Sequence, residues 1–232
     1  MLKFWKQLNI LYERLLLIVL CLIFGIVLWC MYDNWYVYSY TLDDRVRKYK
    51  PGTSGAVASE DSPILDDMAA WITIDGTNID YPVMQGTDNV RYLNTNPFGE
   101  YALSGSIYLD CRSSKDFSDP YSLVYGHHME YGKMFGALDD FLNPSYLAHH
   151  KTGTLIIGKN AAATYPLEVF AAMCVSSDNN LVFNPEQNGI REYIAEQTGY
   201  PVQTRGENII ALSTCAEGGS SARIIVFCFI LN

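Results

Sequence analysis

The stretch LSTCAEGGSSARIIVF, residues 212–227, carries two apolar runs separated by a segment of small residues. With their neighbours the runs extend over residues 209–214 and 223–230, and their β-branched and aromatic content predicts two strands. If these strands pair antiparallel, Cys215 faces Arg223 across the base of the connecting loop, with Cβ atoms about 5 Å apart. The stretch therefore predicts a β-hairpin, with residues 216–222 as its loop, that holds a thiol beside a guanidinium group.

The chain after residue 70 consists mostly of short strand-like runs separated by turn signals such as Asp75-Gly76. The predicted strands are residues 71–74, 79–84, 106–109, 122–125, 154–157, 165–173, 209–212 and 223–231. Helical patterns interrupt them at residues 134–141 and 186–197, and Ser62 followed by Pro63 resembles the start of a further helix. About eight strands with peripheral helices predict a mainly β fold, a closed or nearly closed β-barrel.

A long apolar segment precedes these strands. Residues 15–32, LLLIVLCLIFGIVLWCMY, contain no charged residue and are close to the length that a tilted transmembrane helix needs. Bulky residues such as Tyr32 and Trp35 follow, where a signal peptidase requires small ones. We therefore expect an uncleaved membrane anchor rather than a cleaved signal peptide.

The charges around this segment predict its orientation. The first 14 residues carry three basic residues and one acidic residue, so the positive-inside rule places them in the cytoplasm. Aromatic and charged residues after the span suit a helix that leaves the membrane, and a Pro/Gly/Ser-rich linker follows. The predicted organisation is a cytoplasmic tail (1–14), one transmembrane helix (15–32), a juxtamembrane helix and linker (33–61) and an extracellular catalytic domain (62–232).

The exported part of the chain is acidic. It holds 13 of the 16 basic residues and 24 of the 25 acidic residues, which leaves a net charge near −11. A surface of this sign repels nucleic acid and anionic lipid headgroups. The composition therefore excludes nucleic acid as an expected partner.

The six cysteines are too scattered for a disulfide scaffold. Two lie in the predicted span, Cys174 and Cys228 lie in apolar strand-like runs that predict small buried hydrophobes, and Cys111 and Cys215 lie beside polar residues. Of these, only Cys215 has a predicted cationic neighbour, Arg223. A positive charge lowers the pKa of a thiol, and a guanidinium can also donate hydrogen bonds to an oxyanion. These two residues alone leave open a second reading, in which Arg223 forms a surface ion pair with Glu217 and the thiol is idle.

A nucleophilic thiol also needs an acid/base partner, and histidine is the usual one. His127 and His128 follow the predicted strand 122–125, whereas His149 and His150 lie on a probable short helix and are expected to be solvated. Neighbouring strand residues point to opposite faces, so only one residue of the first pair can point at the thiol, and parity does not say which. Neither pair has the spacing of a metal site, and we expect no metal.

Three separated motifs together resemble the sortases, membrane-anchored cysteine transpeptidases of Gram-positive cell surfaces. They are YGHHM at residues 125–129, LSTC at residues 212–215 and Arg223 on the next strand. The segments NIDYPVMQGTDNVRYLNTN, GSIYLD and YGKMFGALDDF, and the helical pattern before the cysteine strand, resemble class B of that family. The resemblance extends from about Pro63 to the end of the sequence.

This resemblance implies an eight-stranded sortase-type barrel and a ping-pong reaction without a cofactor. Cys215 would attack the threonine carbonyl of a C-terminal sorting signal, His127 would protonate the leaving amine, and Arg223 would hold the substrate and the oxyanion. The residues that match peptide-binding positions of the family are Asn89, Leu93, Tyr125 and Ser213.

The resemblance also implies the partners: surface proteins with a sorting signal, and an amine acceptor, typically of a peptidoglycan precursor. Asn180 stands where some class B members have a tyrosine, so the preferred signal is less transferable than the chemistry. Two other functions use the same features. A membrane-anchored thiol peptidase or hydrolase would pass the acyl group to water, and a non-enzymatic surface receptor would leave Cys215 unused.

Overall fold

The computed structural model describes residues 1–40, 44–53, 59–202, 206–215 and 221–231. It divides into two compact units, Met1–Thr41 and Leu42–Asn232. The first unit is one helix, α1 (Leu2–Tyr40), which contains a candidate membrane span over Lys3–Trp35 with apolar side chains exposed along its length. The predicted tail and transmembrane segment therefore belong to one continuous helix that is long and apolar enough to cross a bilayer.

The second unit is a closed barrel, and the described residues contribute eight strands to it. The strands are β1 (Met68–Ile74), β2 (Asp80–Met84), β3 (Ile107–Leu109), β4 (Tyr121–Tyr125), β5 (Thr152–Ile157), β6 (Ala163–Ser176), β7 (Asn208–Cys215) and β8 (Ala222–Ile230). Around the barrel the order is β1-β2-β3-β4-β7-β8-β6-β5, and β5 closes onto β1. The pairs β2–β3 and β4–β7 are parallel, and the other pairs are antiparallel. The predicted eight-stranded barrel is confirmed.

Short helices lie around the barrel. They are α2 (Asp44–Arg47), α3 (Pro144–His149), α4 (Asn180–Phe183) and α5 (Ile190–Thr198), with 3₁₀ turns at Ser59–Asp61, Arg91–Leu93, Glu130–Gly132 and Gly136–Leu142.

The strands β4, β7 and β8 are apolar on both faces because both faces are covered. Alternate residues such as Leu212 and Val226 fill the barrel interior, together with Phe135 and Phe141 from the segment after β4. The intervening residues belong to a second cluster on the outer face, which packs against α4 and α5: Leu123, Ala211, Phe227 and Phe229 meet Val182, Ile190 and Ile194. Burial on both faces explains why the stretch at residues 209–230 reads as continuous apolar runs.

The predicted hairpin is also confirmed. β7 pairs antiparallel with β8, and the register places Cys215 opposite Arg223. Most of the predicted connecting loop, residues 216–220 with Glu217, lies outside the described residues.

Three local predictions are wrong in detail. The helical pattern at 134–141 forms a 3₁₀ turn two residues later, Gly136–Leu142. The helix predicted at 186–197 begins only at Ile190, because Gly189 adopts a left-handed conformation with φ of 101°. The separate turn of helix α4 was not predicted, and the side chain of Asn179 caps it by accepting hydrogen bonds from two backbone N–H groups.

The helix start predicted at Ser62 is wrong as well. The segment instead runs without helix into β1, because tertiary contacts draw its backbone onto the barrel. Ile64 is buried, Leu65 N donates to Pro97 O at 2.9 Å, and Lys159 Nζ donates to Ile64 O at 2.6 Å. Local capping signals lose to these long-range contacts.

Part of the predicted juxtamembrane segment packs against the barrel. Val46 is 3% exposed and belongs to the cluster on the outer face of β1 and β2. Lys50 Nζ lies 2.7 Å from Asp80 Oδ1 and donates to Thr73 Oγ1, also at 2.7 Å, while Trp71 Nε1 donates to Asp80 Oδ1 at 2.8 Å. The boundary at residue 62 stays a prediction, but residues before it are already tied to the barrel.

This polar cluster makes a prediction about stability. Partial burial raises the pKa of Asp80, but hydrogen bonds from Lys50, Trp71 and Thr73 and the charge of Lys50 outweigh that effect, so its pKa lies below the ordinary value. We expect Asp80→Asn to lower the free energy of unfolding by about 1–3 kcal/mol at pH 7. Because the pKa is lower in the folded chain, the carboxylate stabilises the fold above its unfolded-state pKa and loses this effect as the pH falls through the folded-state pKa.

The difference between the wild-type chain and Asp80→Asn should therefore shrink between about pH 4 and pH 2. Thermal unfolding of the full chain in detergent micelles, followed by near-ultraviolet circular dichroism over a pH series, measures it. A difference that stays constant with pH would contradict the assignment.

Candidate active site

Two rows of residues cross the outer face of the barrel where β4, β7 and β8 meet. In the first row Tyr125, the last residue of β4, lies opposite Ser213, and Ser213 lies opposite Ile225. In the second row, two residues further along β7, Cys215 lies opposite Arg223. Residues two apart on a strand share a face, so both rows belong to the face that α4 and α5 cover further down the strands.

The segment after β4 leads His127 toward the second row. Gly126 N still donates to Ser213 O at 3.1 Å, so the parallel pairing continues one residue past the strand. Extending that register by one more residue brings His127 level with Cys215. Gly126 has no room for a side chain, since an added Cβ would collide with Ile107 and lie 2.8 Å from Phe135 Cδ2. The glycine thus allows the chain to pass close to the barrel at this point.

The imidazole ring of His127 has a defined partner. Its Nε2 atom lies 2.8 Å from the backbone oxygen of Leu93, which belongs to the 3₁₀ turn Arg91–Leu93. A carbonyl oxygen can only accept, so Nε2 carries the proton of this bond in the neutral ring. The other nitrogen, Nδ1, is then the basic atom that can take up a proton.

His128 has a separate set of contacts. Its Nε2 lies 2.8 Å from Asp139 Oδ2, its side chain is 16% exposed, and its backbone forms a bridge with Met134. These contacts attach the segment after β4 to the 3₁₀ turn at Gly136–Leu142. The two adjacent histidines therefore serve different parts of the structure.

Arg223 is partly buried, and its Nη1 donates to Ala222 O at 3.1 Å. On its other side Arg223 lies opposite Val175 of β6. The guanidinium thus starts from the outer face of the barrel, beside the end of β7. The alternative pair with Glu217 lies outside the described residues.

Two of the predicted peptide-binding residues meet at one buried carboxylate. Tyr125 Oη donates to Asp110 Oδ2 at 3.0 Å, and Asn89 Nδ2 donates to the same oxygen at 3.0 Å. Asn89 Oδ1 also accepts from Cys111 N at 2.8 Å. Burial, followed by the charge of Asp110, raises the pKa of Tyr125, so its hydroxyl stays protonated. The structure brings these two residues together through a residue that the sequence analysis did not select.

Asp110 and its partner Arg112 were missed because they carry no nucleophile or base pattern. The one signal was an acidic residue directly after an apolar strand with an arginine two residues later, in YLDCR. Burial raises the pKa of a carboxyl group, but for Asp110 the hydrogen bonds from Arg112 and Tyr125 outweigh that effect and hold its pKa below the ordinary value. The site therefore contains a fully buried, ionised carboxylate.

The other two predicted peptide-binding residues are placed less simply. Leu93 is partly buried and contacts His127 through its backbone. Ser213 is 1% exposed, and its Oγ has no hydrogen-bond partner among the described residues. Its backbone oxygen, which accepts from Gly126 N, makes its visible contribution to the site. A role for either side chain in peptide binding stays a prediction.

The remaining cysteines and histidines lie apart from the two rows. Cys228 is buried, as predicted, and burial raises the pKa of its thiol, whereas Cys174 is exposed and the prediction of a buried hydrophobe is wrong there. His149 is exposed as expected, but His150 is half-buried because its ring stacks on Tyr146 at 3.8 Å. Within the described ranges no cluster of three or more His, Cys, Asp or Glu residues could hold a metal ion.

Comparison with known proteins identifies this arrangement. A sequence model of the Sortase domain matches residues 72–230. Sortase B of Listeria monocytogenes is 34% identical over 157 residues, which span 64% of this chain and 63% of that protein, less than two thirds of its length. Sortase B of Staphylococcus aureus is 31% identical over 179 residues, or 73% of this chain and 72% of that protein.

Solved structures agree with the sequences. A Streptococcus pyogenes class B sortase involved in pilus biogenesis is 36% identical, with a TM-score of 0.62 over 73% of this chain and 94% of that one. A complex of the Staphylococcus aureus sortase B with substrate is 29% identical, with a TM-score of 0.62 over 73% and 82% of the two chains. The chain belongs to the sortase family of cysteine transpeptidases. Within that family it is similar to the class B enzymes, which confirms the resemblance seen in the motifs.

The contact between His127 and Leu93 makes a prediction that needs no substrate. In the full chain labelled with nitrogen-15 histidine, long-range nitrogen–proton spectra should show His127 in the neutral state with the proton on Nε2 and with a bare Nδ1. The His127→Ala spectrum assigns the signal. A neutral ring protonated on Nδ1 would contradict the bond to the Leu93 carbonyl.

Proposed function

We propose that this chain is a class B sortase that cleaves a sorting signal after a threonine and transfers the acyl part to an amine. Cys215 is the nucleophile, His127 exchanges the protons, and Arg223 holds the substrate and the oxyanion. The observation that carries this proposal is the strand register. It pairs Cys215 with Arg223 across β7 and β8, and it leads His127 toward the same row from β4.

The reaction divides into two acyl transfers. The Cys215 thiolate attacks the threonine carbonyl carbon, and the carbonyl oxygen becomes an oxyanion to which Arg223 donates. The C–N bond breaks when protonated His127 gives its proton to the departing amine, which leaves a thioester on Cys215. An acceptor amine then attacks the thioester and loses a proton to His127. Collapse of this second oxyanion breaks the C–S bond and returns the thiolate.

The relatives support the substrate class. The Staphylococcus aureus sortase B has been solved with its substrate, and in a second structure with triglycine, which is 28% identical to this chain with a TM-score of 0.60. A peptide donor and a small amine acceptor are the two substrates of a transpeptidase. For this chain we propose cargo proteins with a C-terminal sorting signal and an amine of a peptidoglycan precursor as acceptor.

We further propose that α1 anchors the chain in the cell membrane with residues 1–14 in the cytoplasm. Its apolar span and the excess of basic residues in the tail support this orientation. The catalytic domain then lies outside the membrane, where cargo proteins and wall precursors are accessible.

A single assay separates this function from its rivals. The full chain in detergent micelles is incubated with peptides that carry threonine in otherwise randomised signals, with and without triglycine, and the products are identified by mass spectrometry. A ligated product that requires triglycine supports a transpeptidase. Release of free acid alone would make the protein a hydrolase. Absence of cleavage, with Cys215 alkylated no faster than free cysteine, would favour a receptor.

Replacing Arg223 tests the role of its planar group. Lysine keeps the charge but cannot present the fork of donors, so we expect Arg223→Lys to lose about 10²-fold or more in kcat/KM. Arg191→Lys is the matched control, because Arg191 of α5 also contacts a backbone carbonyl, that of Val202, but lies away from the two rows. Near-normal turnover of Arg223→Lys would mean that only charge matters.

The two adjacent histidines give the sharpest test of the assignment. We expect His127→Ala to lose at least about 10²- to 10⁴-fold in transpeptidation, the usual contribution of a general acid/base. His128→Ala should keep most of the activity, because His128 contacts Asp139 rather than the row of Cys215. Circular dichroism verifies that both variants are folded. The reverse order of turnover would move the acid/base role to His128.

A further inference from the structure

Asp110 is the most deeply buried charged group next to the site. It follows β3 directly and is 0% exposed. Its carboxylate accepts hydrogen bonds from the Arg112 backbone and side chain, Asn89 and Tyr125, as follows: Arg112 N to Oδ1 at 2.9 Å, Arg112 Nε to Oδ1 at 2.8 Å, Arg112 Nη2 to Oδ2 at 2.7 Å, Asn89 Nδ2 to Oδ2 at 3.0 Å and Tyr125 Oη to Oδ2 at 3.0 Å.

Burying a carboxylate is unfavourable unless its charge and both oxygens are satisfied. Here a guanidinium meets the carboxylate with two parallel bonds, which is the strongest geometry for this pair. Asn89 and Tyr125 complete the set of donors. A chain that needed only stability could fill this position with an apolar side chain, so the charged hub calls for a reason in its partners.

The partners extend the contact across the outer face. Arg112 Nη2 also donates to Phe183 O at 2.9 Å, and Arg112 Nη1 donates to Asn184 Oδ1 at 3.2 Å. These residues end α4, whose Val182 is buried against the outer face, with its carbonyl accepting from Tyr121 Oη at 2.9 Å. Arg112 therefore connects Asp110 to the turn after α4.

The connection has a position relative to the nucleophile. Tyr125 lies opposite Ser213, two residues before Cys215. One side of this row is held by Asp110 through Asn89 and Tyr125, and α4 is held through Arg112. The same carboxylate thus joins the floor of the face beside Cys215 to the element that rises next to it.

We propose that Asp110 and Arg112 are positioning residues that set the peptide-binding surface beside Cys215. They hold Asn89, Tyr125 and the turn after α4 in one arrangement, so that a peptide binds without first having to order them. Neither residue takes part in the chemistry. This role rests on the proposed function, because it needs a peptide on this face.

The test compares two perturbations with a matched control in the full chain in detergent micelles. Asp110→Asn keeps the size of the side chain but removes the charge, and Arg112→Lys keeps the ion pair but cannot reach both Asp110 and the turn after α4. Asp80→Asn is the control, since Asp80 is also a half-buried carboxylate with a lysine partner but lies on β2 in a different cluster.

The readouts are KM and kcat for the threonine peptide that the wild-type chain cleaves best, and the rate at which iodoacetamide alkylates Cys215. We expect KM to rise about tenfold in Asp110→Asn, since a bond to a charged group is lost, and less in Arg112→Lys. The kcat value and the alkylation rate should change little, and Asp80→Asn should leave KM unchanged. An unchanged KM in both folded variants, an equal rise in Asp80→Asn, or a loss confined to kcat and alkylation would overturn the proposal.

A binding measurement separates this role from the proposed function. In the Cys215→Ala background no chemistry occurs, and the same peptide labelled with a fluorophore should bind about tenfold more weakly when Asp110→Asn is added. If Asp110→Asn fails to fold, Arg112→Lys decides the question. If the wild-type chain cleaves no peptide, the proposed function fails, and hydrogen exchange still tests the positioning role. Amides at residues 180–184 should exchange faster in Arg112→Lys than in the wild-type chain, and equal rates would exclude it.

Discussion

The parallel pairing of β4 with β7 is the constraint on which the site depends. Parallel strands cannot be joined by a short turn, and here β5, β6, α4 and α5 lie between them in sequence. The pairing places Tyr125 opposite Ser213 and sends the next residues of the chain toward the end of β7. The neighbouring antiparallel pair then supplies Arg223 opposite Cys215. Thiol, imidazole and guanidinium thus come from three strands that one register relates.

Two paired carboxylates organise the loops around the barrel by the same physical rule. A carboxylate that loses water must gain a cation and hydrogen-bond donors, or folding would neutralise it. Asp80 meets this demand with Lys50, which ties residues before the barrel to β1 and β2. Asp110 meets it with Arg112, which ties β4 to α4. In each case the demand of one buried charge orders segments that have little regular structure of their own.

The local predictions that are wrong share a cause. The signals at Ser62, at residues 186–189 and around Cys174 describe what an isolated segment favours. In the folded chain, hydrogen bonds from Leu65 and Lys159 hold the first segment on the barrel, a left-handed glycine delays the second, and the third lies on a long strand whose end is exposed. Propensity decides only where tertiary contacts are indifferent.

The sequence by itself determined the eight strands, the apolar N-terminal helix and the pairing of Cys215 with Arg223. Each of these depends on periodicity, on an apolar run or on a short hairpin, and such local patterns are written directly in the order of residues. The family was evident from motifs for the same reason. Only the tertiary structure decided that His127 contacts the Leu93 carbonyl, that His128 turns to Asp139, and that Asp110 gathers Asn89 and Tyr125. These contacts join residues that are distant in sequence or differ by a single position on a strand, and no local pattern encodes which distant group a side chain meets.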